Sequence, residues 1–237
     1  MSATAPTAAR RLEQLLDRLH FRARSSLLLR YFATINRILL AIGFVPTAMV
    51  KILGRRFTAE DLSNPIGFFF ESMYRTGAYW QFIGWAQAIG GVLLLIPATS
   101  TLGAVIFFPI ILNIFIITVS LGFSGTPFIT GGMLLACLFL LCWDWHRLKP
   151  ILFANPAPVT LPVPIEGSAL ATRLERAGYA VSATGGMLVF LWTRFPIPRV
   201  LVLPSLGVGV VGAILLGVSL VLHRRGHNPS VNLAPSP

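Results

Sequence analysis

Between Arg75 and Asp144 the chain runs for 68 residues without an Asp, Glu, Lys or Arg. As helix, at about 1.5 Å per residue, such a run extends about 100 Å, enough for three crossings of a hydrocarbon layer about 30 Å thick. No helix of a water-soluble core needs that length. Gly, Pro and hydroxyl residues break the run at Pro97-Ala-Thr-Ser-Thr101 and at Gly122-Phe-Ser-Gly-Thr-Pro127. Such residues mark tight turns and helix caps, and turns this short force the three helices antiparallel.

The same criterion applied to the whole chain gives six spans: Ala33 to Leu53, Tyr79 to Pro97, Thr101 to Leu121, Pro127 to Trp143, Ala177 to Thr193 and Val200 to His223. The predicted fold is all-α, a polytopic helical membrane protein with a four-helix transmembrane bundle plus two further C-terminal transmembrane helices. Residues 1–30 then form a basic amphipathic helix, 31–149 the four-helix module, 150–176 a Pro-rich linker, 177–223 a helical hairpin and 224–237 a tail.

Charged side chains make up 11% of the chain, and the net charge is +11. In a soluble protein that excess would point to nucleic acid. Here the basic residues flank apolar segments, as topology-setting residues do, and no nucleic-acid partner is expected. Twelve Lys and Arg fall on the N-terminal side of the spans and six on the other, which predicts both termini in the cytoplasm. Tyr79 and Trp80 fit an aromatic belt at the outer interface, and Trp143 and Trp145 one at the cytoplasmic interface. Cys137 and Cys142 lie about 140° apart around one helix, out of disulfide reach.

Outside the spans, Leu12, Leu15, Leu16 and Leu19 recur at helical spacing, with arginines on the other faces. That pattern suits an anionic membrane surface, a partner subunit or simply a topology-setting basic tail. The outer loop from Gly54 to Gly77 surrounds Ile66-Gly-Phe-Phe-Phe70 with charges that can pair with one another. Its phenylalanines are expected to dip into the interface or cap the bundle. Pro150 to Pro164 carries five prolines and no charge, the composition of an extended linker.

Few residues remain for chemistry. His20 falls in the surface helix, His146 at an interface, and His223 and His227 in the tail, so no convergent metal or haem ligand set is readable. Asp144 and His146 alternate with tryptophans and read as interfacial anchors. Gly207-Val-Gly-Val-Val-Gly212 fits the dinucleotide-binding pattern but lacks the preceding strand and following acid. Close helix packing, as at Gly209 and Ala213, explains it better. The polar set Asn36, Arg37, Lys51, Gln81, Gln87, Asn113 and Thr118 should face the bundle, another polar group or a cavity. Interhelical hydrogen bonding accounts for such residues; Arg37, Lys51, Gln87 and Asn113 are also the candidates for ligand binding. No catalytic residue and no metal ligand is assigned.

The segments Arg37-Ile-Leu-Leu-Ala-Ile-Gly-Phe-Val-Pro-Thr-Ala-Met-Val-Lys51, Phe82-Ile-Gly-Trp-Ala-Gln-Ala-Ile-Gly-Gly-Val-Leu-Leu-Leu-Ile96 and Thr101-Leu-Gly-Ala104 resemble the DoxX-like family of bacterial integral membrane proteins over about residues 30–150. Arg37, Lys51, Gly84, Gly90, Gly91 and Gly103 match the family outline, while Gln87 stands where the outline has Glu. The resemblance implies a bacterial inner-membrane protein associated with quinol or other membrane redox chemistry. Neutral Gln87 cannot carry a proton, which weakens any catalytic role. The expectation is an accessory subunit among other membrane subunits, in contact with lipid or quinone and without a redox cofactor of its own. An enzyme or transporter for a hydrophobic small molecule, or a membrane assembly factor, is the alternative.

Overall fold

A computed structural model describes residues 8–153, 155–163, 167–195 and 198–226. Among these, every regular element is helical. The chain divides into two compact units, Met1–Val163 and Pro164–Pro237. Four helices, Leu27–Ile52, Ser100–Ser120, Thr126–Trp143 and Val202–Arg225, are long and apolar enough to cross a membrane.

The first unit holds α1 (Ala8–Arg24), α2 (Leu27–Ile52), α3 (Pro65–Arg75), α4 (Ala78–Leu95), α5 (Ser100–Ser120), α6 (Thr126–Trp143) and α7 (Trp145–Leu152). Helix α2 packs on α4 and α6, α4 on α5, and α5 on α6. Leu40, Phe44, Leu94, Phe107, Ile111, Cys137 and Leu140 fill the space between them, with the Phe44 and Phe107 rings edge to face at 4.2 Å. Glycine sets the spacing of the helices. A Cβ on Gly84 would meet Lys51 Cβ at 2.8 Å and Ala48 O at 3.0 Å, and one on Gly103 would meet Leu94 N at 2.6 Å. Outward positions are also apolar, with Phe82, Trp85, Ile129 and Leu135 exposed. A helix apolar all round belongs in a core or in lipid.

The second unit is an α-hairpin of α8 (Ala169–Arg194) and α9 (Val202–Gly226). Small residues let the two backbones touch: Gly178 faces Gly212 and Leu216, and Gly185 faces Gly209. Ser219 Oγ donates to Ala171 O at 2.8 Å. Gly209 lies against Gly185, but a Cβ on Gly209 itself would meet nothing within 4 Å, so the close approach depends on Gly178, Gly185 and Gly212 and not on the glycine at 209.

Several local expectations change. The outer loop contains a helix, α3, started by Asn64 accepting from Ile66 N and by Pro65 in the first turn. Phe69 and Phe70 are partly buried, but Phe68 is exposed. The linker begins later than Pro150, which lies inside α7, and it ends earlier than residue 176, because α8 starts at Ala169. The hydroxyl of Ser168 accepts from Ala171 N and supplies that start. His223 is not a tail residue: it is 2% exposed within α9. His227, Pro164 and the turn residues Pro196 and Ile197 lie outside the described residues.

Candidate functional site

The densest polar cluster lies where α1, the start of α2, the start of α5 and the end of α6 meet. Asp144, 3% exposed, is its centre. Its carboxylate accepts from Arg24 Nη2 at 3.0 Å, Arg37 Nη2 at 3.3 Å and Thr101 Oγ1 at 2.7 Å. Arg24 also donates Nε–H to Trp143 O at 3.1 Å and lies 4.5 Å from the Trp143 ring centroid. Burying a polar group this deeply is costly unless such donors satisfy it.

Two histidines complete this end. His20 Nε2 lies 3.1 Å from Trp143 O; a carbonyl only accepts, so Nε2 carries the proton. Arg24 Nη2 lies 3.5 Å from His146 Nδ1; a guanidinium only donates, so Nδ1 is the unprotonated nitrogen. The two imidazoles sit 5.4 Å apart. Burial, then the Arg24 guanidinium and His20, push the His146 imidazole down to about 4. Burial likewise lowers His20.

A second cluster continues along α1. Lys149 is 1% exposed, and its ammonium contacts Asp17 Oδ2 at 2.7 Å and Glu13 Oε1 at 2.8 Å. It also donates to Ala157 O at 2.8 Å, while Glu13 accepts from Ala157 N at 2.8 Å. Trp145 Nε1 donates to Asp17 at 2.9 Å. Hydrogen bonding to Lys149 and to Ala157 lowers the Glu13 carboxyl. Burial opposes the charge on Lys149, but the bonds to Asp17 and Glu13 outweigh it and the ammonium is raised.

The opposite end of α2 carries Lys51, 6% exposed. Its Nζ lies 4.6 Å from the Phe57 ring and 5.2 Å from the Trp80 ring, within the range of cation–π attraction. It also lies 3.4 Å from Thr47 O. Beyond it, Glu71 pairs with Arg56 at 2.8 Å and Arg75 at 2.9 Å. Those two partners, Arg56 first, hold the Glu71 carboxyl down to about 2. A cleft of about 620 Å³ opens here between Arg56, Phe57, Leu62, Phe70 and Arg75.

The four candidate ligand residues come from three helices, α2, α4 and α5. Arg37 joins the Asp144 cluster, Lys51 lies at the far end of α2, and Asn113 is exposed on the outside of α5. Gln87 is 2% exposed on α4, and its Oε1 has no hydrogen-bond partner. Asn36 Nδ2 is likewise buried and unpartnered. Gln81 is exposed, while Thr118 bonds Thr130 between α5 and α6 at 2.9 Å. Of the four expected interfacial aromatics, Tyr79 is exposed and Trp145 partly buried. Trp80 and Trp143 are covered by protein, and Trp80 Nε1 donates to Arg55 O at 3.1 Å. In the second unit His223 Nε2 lies 3.6 Å from Glu175. Among the described residues no group of three His, Cys, Asp or Glu side chains could hold a metal ion.

The sequence reads Asp144 and His146 as interfacial anchors and places His20 in the surface helix, and it gives Glu13, Asp17 and Lys149 no role in a site. The available signal was the spacing of Glu13, Asp17, His20 and Arg24, which places them on one helix face.

No family model matches the chain, and no solved structure does. A segment of 78 residues, 33% of the chain, is 40% identical to "Uncharacterized protein YwoB" of Bacillus subtilis (strain 168). The chain spans about half the length of this curated relative, 50%.

Proposed function

We propose that the chain is an accessory integral membrane subunit of an electron-transfer complex, held in a bacterial inner membrane with both termini cytoplasmic. In this reading α4 and α8 also cross, giving six spans, four in a DoxX-like module and two in the C-terminal hairpin. The 18 uncharged residues of α4 support its membership. One observation carries the functional assignment: the buried Asp144 carboxylate is engaged by three intramolecular donors, Arg24, Arg37 and Thr101. A carboxylate so engaged holds helices together. The outward faces offer apolar surface to lipid, to quinone and to neighbouring subunits, and the DoxX-like resemblance supplies the redox setting. Purification of the tagged chain from native membranes in mild detergent should recover quinol-oxidising partners at fixed stoichiometry. Recovery of the folded chain alone, across several mild detergents and after cross-linking, would overturn the assignment, and substoichiometric partners would favour an assembly factor.

A second reading, a binding site for a hydrophobic small molecule between the spans, is favoured by the unpartnered Gln87 Oε1 and Asn36 Nδ2. Buried polar atoms without partners are uncommon in native proteins. Substituting Gln87 by Leu should then abolish ligand binding while the fold is kept; unchanged binding removes this reading.

A further inference from the structure

Helix α1 is docked with its polar face inward. Glu13 and His20 are its buried residues, whereas Leu12, Leu15 and Leu19 are 51%, 53% and 52% exposed. At about 100° per residue the helix carries three separate arcs. Glu13, Asp17, His20 and Arg24 occupy one and contact α6, α7 and the segment after them. Leu12, Leu15, Leu16 and Leu19 occupy the second, about 120° away. Arg11, Arg18 and Arg22 fall on the third, beside the leucines and on the flank away from the protein. All three of these arginines are exposed.

A helix anchored only by apolar contact would turn its leucines toward the bundle. Here the charged contacts to Lys149, Trp143 and Asp144 hold the helix, which leaves the leucines and arginines for a different occupant. An occupant that is apolar beside the leucines and anionic beside the arginines has the chemistry of an acidic lipid leaflet at its headgroup level. We infer that α1 is an in-plane helix that binds anionic phospholipid, with acyl chains under Leu12, Leu15 and Leu19 and headgroup phosphates at Arg11, Arg18 and Arg22. The inference rests on the membrane setting proposed above and adds a lipid class and the residues that select it. Through Asp17 and Lys149 on one side, and Arg24 and Asp144 on the other, the helix links that lipid contact to the polar clusters of the bundle.

The test uses the full chain carrying Cys142→Ala and Leu15→Cys, labelled with an environment-sensitive fluorophore; Cys137 is fully buried. The protein is reconstituted in vesicles mixing phosphatidylcholine and phosphatidylglycerol, either of which bears the quenching spin label. At equal mole fraction, labelled phosphatidylglycerol should quench several-fold more than labelled phosphatidylcholine, since each arginine at an anionic surface is worth roughly a fivefold preference. Combining Arg11→Gln, Arg18→Gln and Arg22→Gln should equalise the two lipids while the fluorophore stays in contact with lipid. Equal quenching in the parent overturns the anionic preference, and shielding from both lipids overturns the lipid assignment in favour of a protein partner. A parallel label at Leu135, 68% exposed on α6, separates the two levels. Lipid at residue 135 with water at residue 15 overturns this inference alone, whereas water at both positions overturns the membrane setting itself.

Discussion

Arg37 Nη2 reaches the Asp144 carboxylate at 3.3 Å, tying α2 to the residue that caps the C-terminus of α6 across 107 positions of sequence. Removing one member of a buried pair leaves the other charge without compensation. Asp144→Asn should therefore lower stability by about 3–5 kcal/mol, read as a fall in the thermal unfolding midpoint in detergent. Arg24→Gln should cost less, because the Arg24 side chain keeps 25% exposure and can be hydrated. A loss for Asp144→Asn no larger than that of an exposed charge would show that the cluster does not hold the helices.

The His20–His146 pair gives the docking of α1 a pH dependence with a definite sign. His146 is pushed down to about 4 from an ordinary 6.5, so the folded state binds fewer protons than the unfolded state between those values. The stabilisation from a neutral His146 is complete above about pH 6.5 and is lost as pH falls toward 4. The lowered Glu13 carboxyl acts in the same direction below its ordinary 4.5. Protease cleavage within α1 should thus accelerate as pH falls from 6.5 toward 4, with a protease whose own activity is calibrated over that range. His146→Gln should weaken the upper part of the dependence, leaving the share carried by His20, whose imidazole burial also lowers, and a flat profile in the parent would refute this account.

Gly103 and Gly132 test the packing. A Cβ on Gly103 meets Leu94 N at 2.6 Å and Leu93 C at 2.9 Å, whereas one on Gly132 meets nothing within 4 Å. Gly103→Ala must push α4 and α5 apart and should destabilise by about 1–3 kcal/mol. Gly132→Ala should be neutral or slightly stabilising, as an exposed helical glycine replaced by alanine. Unfolding midpoints of the two variants, compared in one detergent, distinguish them.

The long helices were legible because their evidence is local. A 68-residue uncharged run, broken by Pro97 and Gly122, fixes three helices wherever their neighbours lie, and α4, α5 and α6 begin and end within a few residues of those breaks. The polar clusters were not legible, because their members come from opposite ends of the module. Glu13 bonds a backbone group 144 positions away, and Lys149 reads locally as one more basic residue flanking a span. Helix α3 was missed for a different reason: Asn64 and Pro65 are a helix start as well as a loop signal, and the charges around them favoured the loop. Arg37 and Lys51 also part in three dimensions, since two residues can share one face of a helix and still lie about four turns apart along it.

Gln87 remains the residue whose substitution most sharply separates a scaffold from a binding site. Its side chain is 2% exposed and Oε1 has no partner, so the folded chain carries the desolvation cost of an unmade hydrogen bond, about 1–3 kcal/mol. If the module is purely a scaffold, Gln87→Leu removes that cost with little change in volume. The variant should then match or exceed the parent in thermal stability, in delipidated detergent and in native lipid extract alike. If Oε1 instead accepts from a bound hydrophobic molecule, the parent should gain stability on adding native lipid extract and the variant should not. Measuring both proteins in both conditions decides the matter: equal gains assign Gln87 to packing, and a gain confined to the parent assigns it to ligand binding.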